Sequence, residues 1–164
     1  MKWLARFRVF LGFVFAAIAL WLATPTRESL FTGAGIMIAG ECVRIWAAGH
    51  LEKSKEVTRS GPYRFTRHPL YLGSSLLGVG FAIAASHRVV TMIVVAYLLL
   101  TLTAAMRSEE AHLREKFGDE YDAYAEKRAA PMQRSFSWHR AMSNREYQAM
   151  AGVVAALLIL AMKV

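Results

Sequence analysis

Five long, apolar stretches constrain the fold of this 164-residue chain more than any other feature. They cover residues 7–25, 29–49, 69–86, 89–106 and 147–162, and they carry almost no charge. An α-helix rises about 1.5 Å per residue, so eighteen residues span about 27 Å, close to the ~30 Å hydrocarbon core of a bilayer. A soluble domain of this length could bury one such helix but hardly five. The sequence therefore predicts an all-α integral membrane protein with five transmembrane helices, forming a single domain over residues 1–164.

The basic residues are concentrated in alternate connections between the apolar stretches. Of the 20 lysines and arginines, 16 lie within residues 1–8 at the start of the chain, in the connection 50–68 or in the connection 107–146. Cytoplasmic loops of membrane proteins carry the excess of lysine and arginine. The N-terminus and both long connections are thus predicted to be cytoplasmic. A net charge of +8 could also indicate nucleic-acid binding, but the apolar spans separate the basic segments at topologically consistent intervals, so we expect no nucleic-acid partner.

The sequence argues against a signal peptide, an intramolecular disulfide and a metal site. A signal peptide would fit Lys2, Arg6 and Arg8 before an apolar run, but no small-x-small cleavage pattern closes that run and four more spans follow. Cys42 has no second cysteine to form an intramolecular disulfide. The five histidines show no metal-ligand spacing, so no metal site is expected.

The connection 107–146 predicts a further helix. Leu113, Phe117, Tyr121 and Tyr124 recur at steps of four, four and three, which places them on one face of a helix over 108–126. Directly after a span, such a helix would lie along the cytoplasmic membrane interface. Gly118 costs about 1 kcal/mol relative to alanine within a helix, so a break or kink there is possible.

Glu41 and Arg44 are charged residues at membrane depth and are therefore candidate functional groups. They are three residues apart, share a helix face and can pair. One interpretation is a neutralised pair that fixes helix packing. The other is a pair that reaches a cavity open on the cytoplasmic side.

The densest signal is the segment Ser60-Gly61-Pro62-Tyr63-Arg64-Phe65-Thr66-Arg67-His68-Pro69-Leu70-Tyr71-Leu72-Gly73. Pro69 occupies a favoured first helical position, so Arg64, Arg67 and His68 lie close to a positive helix N-terminus. That placement suits an anionic group such as a carboxylate or phosphate. The alternative is that these basic residues are ordinary topology signals and headgroup anchors.

Arg67-His68-Pro69-Leu70-Tyr71, followed by Glu109-Glu110, resembles the RHPxY…EE signature of integral-membrane methyltransferases. These are the isoprenylcysteine carboxyl methyltransferase family and the related phospholipid N-methyltransferases. The resemblance begins at Arg44-Ile45-Trp46-Ala47 and ends at Pro131. It includes Gly-Pro-Tyr-Arg before the signature and the segment 117–124 after it.

The resemblance implies S-adenosylmethionine as the methyl donor, bound between helices on the cytoplasmic side, and a lipophilic acceptor that enters from the bilayer. The implied donor-binding residues are Tyr63, Arg64, Arg67, His68, Leu70, Tyr71, Glu109 and Glu110. His68 with Arg67 or Arg64 would bind the donor carboxylate. Tyr63, Leu70 and Tyr71 would line its adenosine. One glutamate would bind the ribose hydroxyls or the ammonium, and the other would pair with Arg128 or a loop arginine.

The candidate catalytic residues are Arg128, Arg44 and Glu41. A carboxylate acceptor needs a cation to hold it, for which Arg128 and Arg44 are candidates, whereas an amine acceptor needs a base such as Glu41. The resemblance favours carboxyl O-methylation of an isoprenylcysteine-like substrate. Methylation of a phospholipid amine, a thiol or another lipophile is the alternative, and a non-catalytic membrane binding or assembly module is the alternative of another class. The small chain with short outside connections suggests a prokaryotic cytoplasmic membrane, with the oligomeric state left open.

Overall fold

The computed structural model describes Gly12 and residues 14–164, and every regular element among them is helical. The helix α1 is described over 14–22. The elements that follow are α2 (Arg27–Ala48), a 3-10 helix (Gly61–Arg64), α3 (Pro69–Ala85), α4 (Arg88–Phe117), α5 (Asp119–Ala125), α6 (Trp138–Ser143) and α7 (Glu146–Ala161). The predicted all-α class is confirmed for this part of the chain.

Each predicted span corresponds to one of these helices. The start of the first span lies outside the described residues. By length and composition, α2 and α4 could each cross a membrane, while α3 and α7 are shorter apolar helices. The seventeen residues of α3 extend about 25 Å, slightly less than the hydrocarbon core. Membrane crossing by five helices and the orientation of the N-terminus stay predictions.

The outer faces of the helices carry large apolar side chains. Trp21 on α1 and Phe31 on α2 are 79% and 77% exposed, and Leu100 on α4 is 74% exposed. Soluble monomers rarely expose contiguous apolar patches larger than a few hundred Å². In this structure the exposed apolar side chains are spread over several helices, as expected of a surface that faces lipid.

The pairing of α2 with α3 is set by two glycine pairs. A Cβ atom added to Gly40 would lie 2.8 Å from the carbonyl oxygen of Gly73, and one added to Gly80 would lie 2.7 Å from the carbonyl oxygen of Gly33. Both distances are too short for a real side chain, so only glycine permits this approach. The glycines are seven residues apart on each helix, which aligns the two antiparallel helices over two turns. Close packing through small residues is the usual way in which membrane helices associate.

The short connections are tied together at the opposite end from the long ones. The backbone N–H of Thr24 donates to the carbonyl of Ala85 (2.9 Å), and the Thr24 hydroxyl donates to that of Ser86 (3.2 Å). Lys163, after α7, donates to the free carbonyls of Leu20 and Trp21 at the end of α1. A lysine at a helix C-terminus also interacts favourably with the helix dipole.

The residues predicted to form a helix over 108–126 are helical, with the expected break at Gly118, but the prediction that this helix is separate from the preceding span is wrong. The helix α4 continues without interruption from Arg88 to Phe117, because the residues that follow the span favour helix and none of them is glycine or proline. The break falls at Gly118, whose positive φ of 47° suits glycine. The short helix α5 then folds back on α4, where Asp122 accepts a 3.0 Å hydrogen bond from Arg114.

Residues 134–144 close the end of α2. Four carbonyls in succession accept hydrogen bonds from this segment: Ala48 and Leu51 from the Asn144 amide, Gly49 from Arg140 and the Ser137 N–H, and His50 from Arg134. The last carbonyls of a helix have no partner within the helix itself. Part of the positive charge of the connection 107–146 therefore serves to cap α2.

Candidate active site

A network of charged groups joins the start of α3 to α4. His68 precedes Pro69, and its Nε2 lies 2.9 Å from Oε1 of Glu110. Arg67 Nη1 lies 3.2 Å from the same oxygen, and Arg114 Nη1 lies 3.9 Å from Oε2. Glu110 thus pairs with a loop arginine, as was expected of one of the two glutamates. The signature residues Arg67 and His68 meet the second glutamate of the later pair.

This network also fixes the charge of Glu110. The hydrogen bond from His68, together with the positive charges of Arg67 and Arg114, holds the pKa of Glu110 below its usual range. Glu110 is therefore a carboxylate at neutral pH. Its neighbour Glu109 is 4.0 Å from His68 Nδ1 and keeps 42% of its side chain exposed, so its carboxylate is the more available one.

A cavity of about 420 Å³ lies beside the network, within the size range of small-molecule sites. Four of the predicted donor-binding residues line it, namely Tyr63, Arg67, Tyr71 and Glu109. The remaining lining residues come from the segment 51–58, from α4 and from α5: Leu51, Lys53, Ser54, Glu56, Val57, Thr58, Ala104, Ala105, Ser108, His112, Leu113, Tyr121 and Tyr124. The cavity thus combines aromatic rings with both signs of charge.

Two tyrosines form a fixed wall of this cavity. The Tyr124 hydroxyl donates a 2.8 Å hydrogen bond to the carbonyl of Tyr63. Burial raises the pKa of Tyr124 to about 12 and raises that of Tyr63 as well. Both phenols therefore stay protonated at neutral pH, and they present rings and hydroxyl groups rather than charge.

The other predicted site residues lie elsewhere. His68 and Glu110 belong to the network beside the cavity, and the Leu70 carbonyl accepts a hydrogen bond from Ser74 within α3. Arg64 lines a second cavity, bounded by residues 131–135. Arg128 is 65% exposed and pairs with Glu126 at 2.5 Å, so it does not reach the other two candidate catalytic residues.

Sequence reasoning missed several residues of the cavity. Lys53, Glu56 and Thr58 come from an irregular segment with no periodic pattern that could have identified them. His112 follows Glu109 by three positions on α4, and this spacing places it on the same helix face. Tyr121 was singled out for helix periodicity rather than for a site.

The residues present fit S-adenosylmethionine. His68 Nδ1 is buried and has no hydrogen-bond partner among the described residues, so it is available to a ligand atom. Arg67 offers a planar guanidinium suited to a carboxylate, and Glu109 offers an acceptor for hydroxyl groups or an ammonium. The tyrosine rings supply apolar surface for a heterocycle.

A second polar cluster lies at the same end of α2, α3 and α7. Arg44 donates to both oxygens of Glu146 at 2.8 to 3.2 Å and to the Ser74 hydroxyl at 2.5 Å. Glu41 is 3.9 Å from Arg44 Nε, and neither of its buried oxygens has a hydrogen-bond partner within the described chain. The predicted Glu41–Arg44 pair is thus secondary to an Arg44–Glu146 pair that the sequence did not reveal.

An apolar cavity of about 740 Å³ begins one helical turn from this cluster. Met37, Leu77 and Ala149 line it, and they follow or precede Glu41, Ser74 and Glu146 by three or four positions. Its other walls come from α1, α3, α4 and α7: Gly12, Phe15, Ala16, Ala19, Leu20, Gly78, Phe81, Ile93, Val94, Tyr97, Leu98, Gly152, Val153, Ala155, Ala156 and Ile159. A ligand with one polar end and an apolar body would match both features.

Comparison with known proteins gives one family match. The model of the family described as phospholipid methyltransferase matches residues 7–120, which include the Arg67–Glu110 network and most of the cavity walls beside it. No solved structure gives a significant match.

Two kinds of curated relative are similar to this chain. A probable protein-S-isoprenylcysteine O-methyltransferase of Oryza sativa is 29% identical over 109 residues, covering 59% of this chain and 57% of that protein. The nickel-cobalt-cadmium resistance protein NccN of Alcaligenes xylosoxydans xylosoxydans is 34% identical over 91 residues, covering 53% of this chain and 41% of that protein. The chain thus spans about half the length of the curated relatives that it matches.

Proposed function

The chain belongs to the phospholipid methyltransferase family, and from this premise we propose that it transfers a methyl group from S-adenosylmethionine to a lipophilic acceptor within the membrane. The observation that carries the proposal is the 420 Å³ cavity, called the donor cavity below, with Arg67, Glu109 and four tyrosines on its walls, next to an ordered His68–Glu110 pair. In this proposal Arg67 binds the donor carboxylate and Glu109 binds its ribose hydroxyls or ammonium. His68 donates to or accepts from the donor through its unpaired Nδ1.

The methyl group of the bound sulfonium is already activated, so the protein contributes alignment and exclusion of water. Tyr71 lines the donor cavity, and Ser74, three positions further along α3 and on the same helix face, accepts a hydrogen bond from Arg44. The donor cavity and the Glu41–Arg44–Glu146 cluster are therefore neighbours. We place the reacting end of the acceptor at this junction and its apolar body in the 740 Å³ cavity.

Two acceptor chemistries fit this arrangement. Carboxyl O-methylation of an isoprenylcysteine-like substrate is supported by the printed name of the Oryza relatives, and Lys53, which also lines the donor cavity, is a cation that could hold the acceptor carboxylate while Arg67 binds the donor. Methylation of a lipid amine is favoured by Glu41, whose unpartnered carboxylate could accept the amine proton. Arg44 is already engaged by Glu146 and Ser74, which weakens its candidacy for a carboxylate acceptor.

The proposal includes the topology. Five spans would place the connections 50–68 and 107–146, which supply the donor cavity, on the cytoplasmic side of a prokaryotic cytoplasmic membrane. Donor would then reach its site from the cytosol, while acceptor would enter from the bilayer.

The test begins with donor binding to the purified full chain in nanodiscs. We expect saturable S-adenosylmethionine binding by calorimetry in the wild type, with about a tenfold or greater loss in Glu109→Gln because a charged hydrogen-bond partner is removed. Glu115→Gln makes the same change on an exposed site of the same helix and should leave binding unaltered. A wild-type chain without saturable binding would point instead to a non-catalytic membrane module.

Tritiated methyl donor then separates the acceptors. N-acetyl-S-farnesylcysteine and phosphatidylethanolamine are offered in parallel. Base-labile, volatile label on the first identifies a methyl ester, whereas stable label on the second identifies N-methylation. Label on neither compound, in a chain that binds donor, would exclude both acceptors while leaving the donor site established.

A further inference from the structure

Arg64 is one of the signature-region residues that do not line the donor cavity. It ends the 3-10 helix Gly61–Arg64, whose Tyr63 faces the donor cavity, yet Arg64 itself lines a separate cavity of about 500 Å³. The opposite wall of this cavity is the irregular segment 131–135. That segment lies beyond residues 7–120, the part of the chain that the family model matches.

Two parts of the cavity lining carry hydrogen-bond donors that have no acceptor within the described chain. Arg64 is exposed and forms no ion pair with any residue that the structure describes. The backbone N–H groups of residues 132–136 donate no hydrogen bond within the described chain. A guanidinium beside a run of free amides is a donor set that suits the oxygens of a phosphate.

The surroundings are electropositive. Arg134 lines the cavity and is held by Glu56, with Nη1 2.6 Å from the carboxylate. Arg140 donates to the carbonyl of Gly49 close by. Burial, together with the positive charges of Arg140 and Arg134, lowers the pKa of His50, whose ring lies directly behind Gly61. The lining therefore carries Arg64 and Arg134 and no acidic side chain, and Glu56 offsets the charge of Arg134 alone.

Aromatic side chains mark this region as a membrane boundary. Phe65, next to Arg64, is 77% exposed and lies 6.5 Å from the ring of Trp46 in the last turn of α2. On the other side of the cavity, exposed Trp138 packs edge-on against Phe136. Tryptophan and other amphipathic aromatic residues concentrate at the level of lipid headgroups.

We propose that the cavity between Arg64 and residues 131–135 binds the phosphate group of an anionic membrane lipid. Arg64 supplies the charge, the amides of 132–135 supply directional donors, and Phe65 and Trp138 contact the adjoining acyl region. The site is distinct from the donor cavity, and it assigns a role to both Arg64 and the irregular segment. It would anchor residues 131–146, and through them the capped end of α2, to the lipid surface.

Native mass spectrometry of the full chain, titrated in detergent with phosphatidylglycerol or phosphatidylcholine, tests this proposal. We expect the wild type to retain phosphatidylglycerol in preference to phosphatidylcholine. Arg64→Gln should weaken phosphatidylglycerol binding about fivefold, the effect of one basic residue at an anionic surface, and Arg64→Lys should restore most of it. Arg107→Gln removes an exposed arginine from α4, outside the cavity, and is the matched control.

A second variant and a soluble competitor distinguish the proposed lipid site from general surface charge and from a site for soluble phosphate. Gln133→Glu places a negative charge in the cavity and should lower phosphatidylglycerol binding to at least the same extent. Equal losses in Arg64→Gln and Arg107→Gln would overturn the proposal, because the effect would then be general surface charge. Displacement of the lipid by millimolar inorganic phosphate would support recognition of the phosphate group, whereas binding of inorganic phosphate with no retention of phosphatidylglycerol would overturn the proposal in favour of a soluble phosphate ligand. Donor binding is measured on the same samples and is independent of either outcome.

Discussion

Nε2 of His68 lies 2.9 Å from Oε1 of Glu110, across 42 residues of sequence that contain two helices and the turn between them. The contact joins the residue before α3 to the part of α4 that follows its apolar run, and Arg67 binds the same carboxylate oxygen. This pair therefore holds the two halves of the RHPxY…EE signature at a fixed separation. The donor cavity lies against it.

Replacement of this carboxylate should loosen the site. In Glu110→Gln the amide can still meet His68, but the charge that holds Arg67 and Arg114 is lost. We expect a decrease of about 1–2 kcal/mol in stability, because hydrogen bonds to charged groups contribute about 1.5–3 kcal/mol and part of the interaction survives. Donor affinity should fall as well, since Arg67 loses its anchor. Thermal melts and calorimetry in nanodiscs measure the two effects, with Glu115→Gln as the control on the same helix.

The lowered pKa of Glu110 predicts a dependence of stability on acid pH. A carboxyl whose folded pKa lies below its unfolded value of about 4.3 contributes stability that is complete above the unfolded pKa. That contribution disappears as the pH falls through the lowered, folded pKa. The melting temperatures of wild type and Glu110→Gln should therefore differ most above about pH 5 and converge as the pH falls through the lowered pKa of Glu110. A difference that grows on acidification would contradict this assignment.

The close packing of α2 on α3 predicts that two glycines of α2, Gly40 and Gly35, differ sharply in the stability lost when each is replaced by alanine. In Gly40→Ala the new Cβ would lie 2.8 Å from the carbonyl oxygen of Gly73, and we expect a loss of about 1–3 kcal/mol from overpacking. In Gly35→Ala the new Cβ meets nothing within 4 Å, so the substitution should be neutral or stabilise the helix by up to about 1 kcal/mol. Equal melting temperatures for the two variants would show that α2 and α3 do not pack as described.

The helices were predictable because their cause is local. Charge-free runs of sufficient length predict apolar helices wherever they occur, and α3 and α7 begin and end within one residue of the predicted limits. The length of apolar sequence did not predict where α4 ends, because the helix continues past the end of the apolar run. No residue between Arg107 and Phe117 interrupts a helix, so the boundary of the apolar run and the boundary of the helix differ by eleven residues.

The site was predictable only where a short motif carried it. Tyr63, Arg67, Tyr71 and Glu109 come together as the signature implies, although 38 residues separate Tyr71 from Glu109. Glu146 lies 102 residues from Arg44 and shares no pattern with it, so their pairing follows from the docking of α7 on α2. Arg64 looked equivalent to Arg67, but the tight 3-10 turn directs it to another cavity.

The Arg44–Glu146 pair should be costly to break and less costly to replace. The two side chains are 19% and 5% exposed, so Glu146→Leu would leave a largely buried guanidinium with only the more distant Glu41 as a counter-charge. Removal of one partner of a buried pair typically costs about 3–5 kcal/mol, whereas exchange of both for apolar residues is often close to neutral. We therefore expect Arg44→Met/Glu146→Leu to recover much of the stability that Glu146→Leu loses, measured by thermal unfolding in detergent. Additive losses would show that the two side chains are not coupled.

Gly152 should set the length of apolar chain that the acceptor site admits. It lines the 740 Å³ cavity on α7, and a Cβ added there meets nothing within 4 Å. Gly152→Leu would place its side chain in the cavity without a clash against the backbone. We expect kcat/KM for a farnesyl acceptor to fall about tenfold, since a few methylenes change binding by about 1–3 kcal/mol, while a shorter geranyl acceptor is less affected.

Gly35→Leu is the matched control for this change, because Gly35 also has open space around its Cβ but does not line the cavity. Donor affinity should be unchanged in both variants, since neither position borders the donor cavity. The contrary outcome is that Gly152→Leu reduces activity by the same factor with both acceptors, and by no more than Gly35→Leu does. That result would show that the apolar chain of the acceptor binds outside the 740 Å³ cavity.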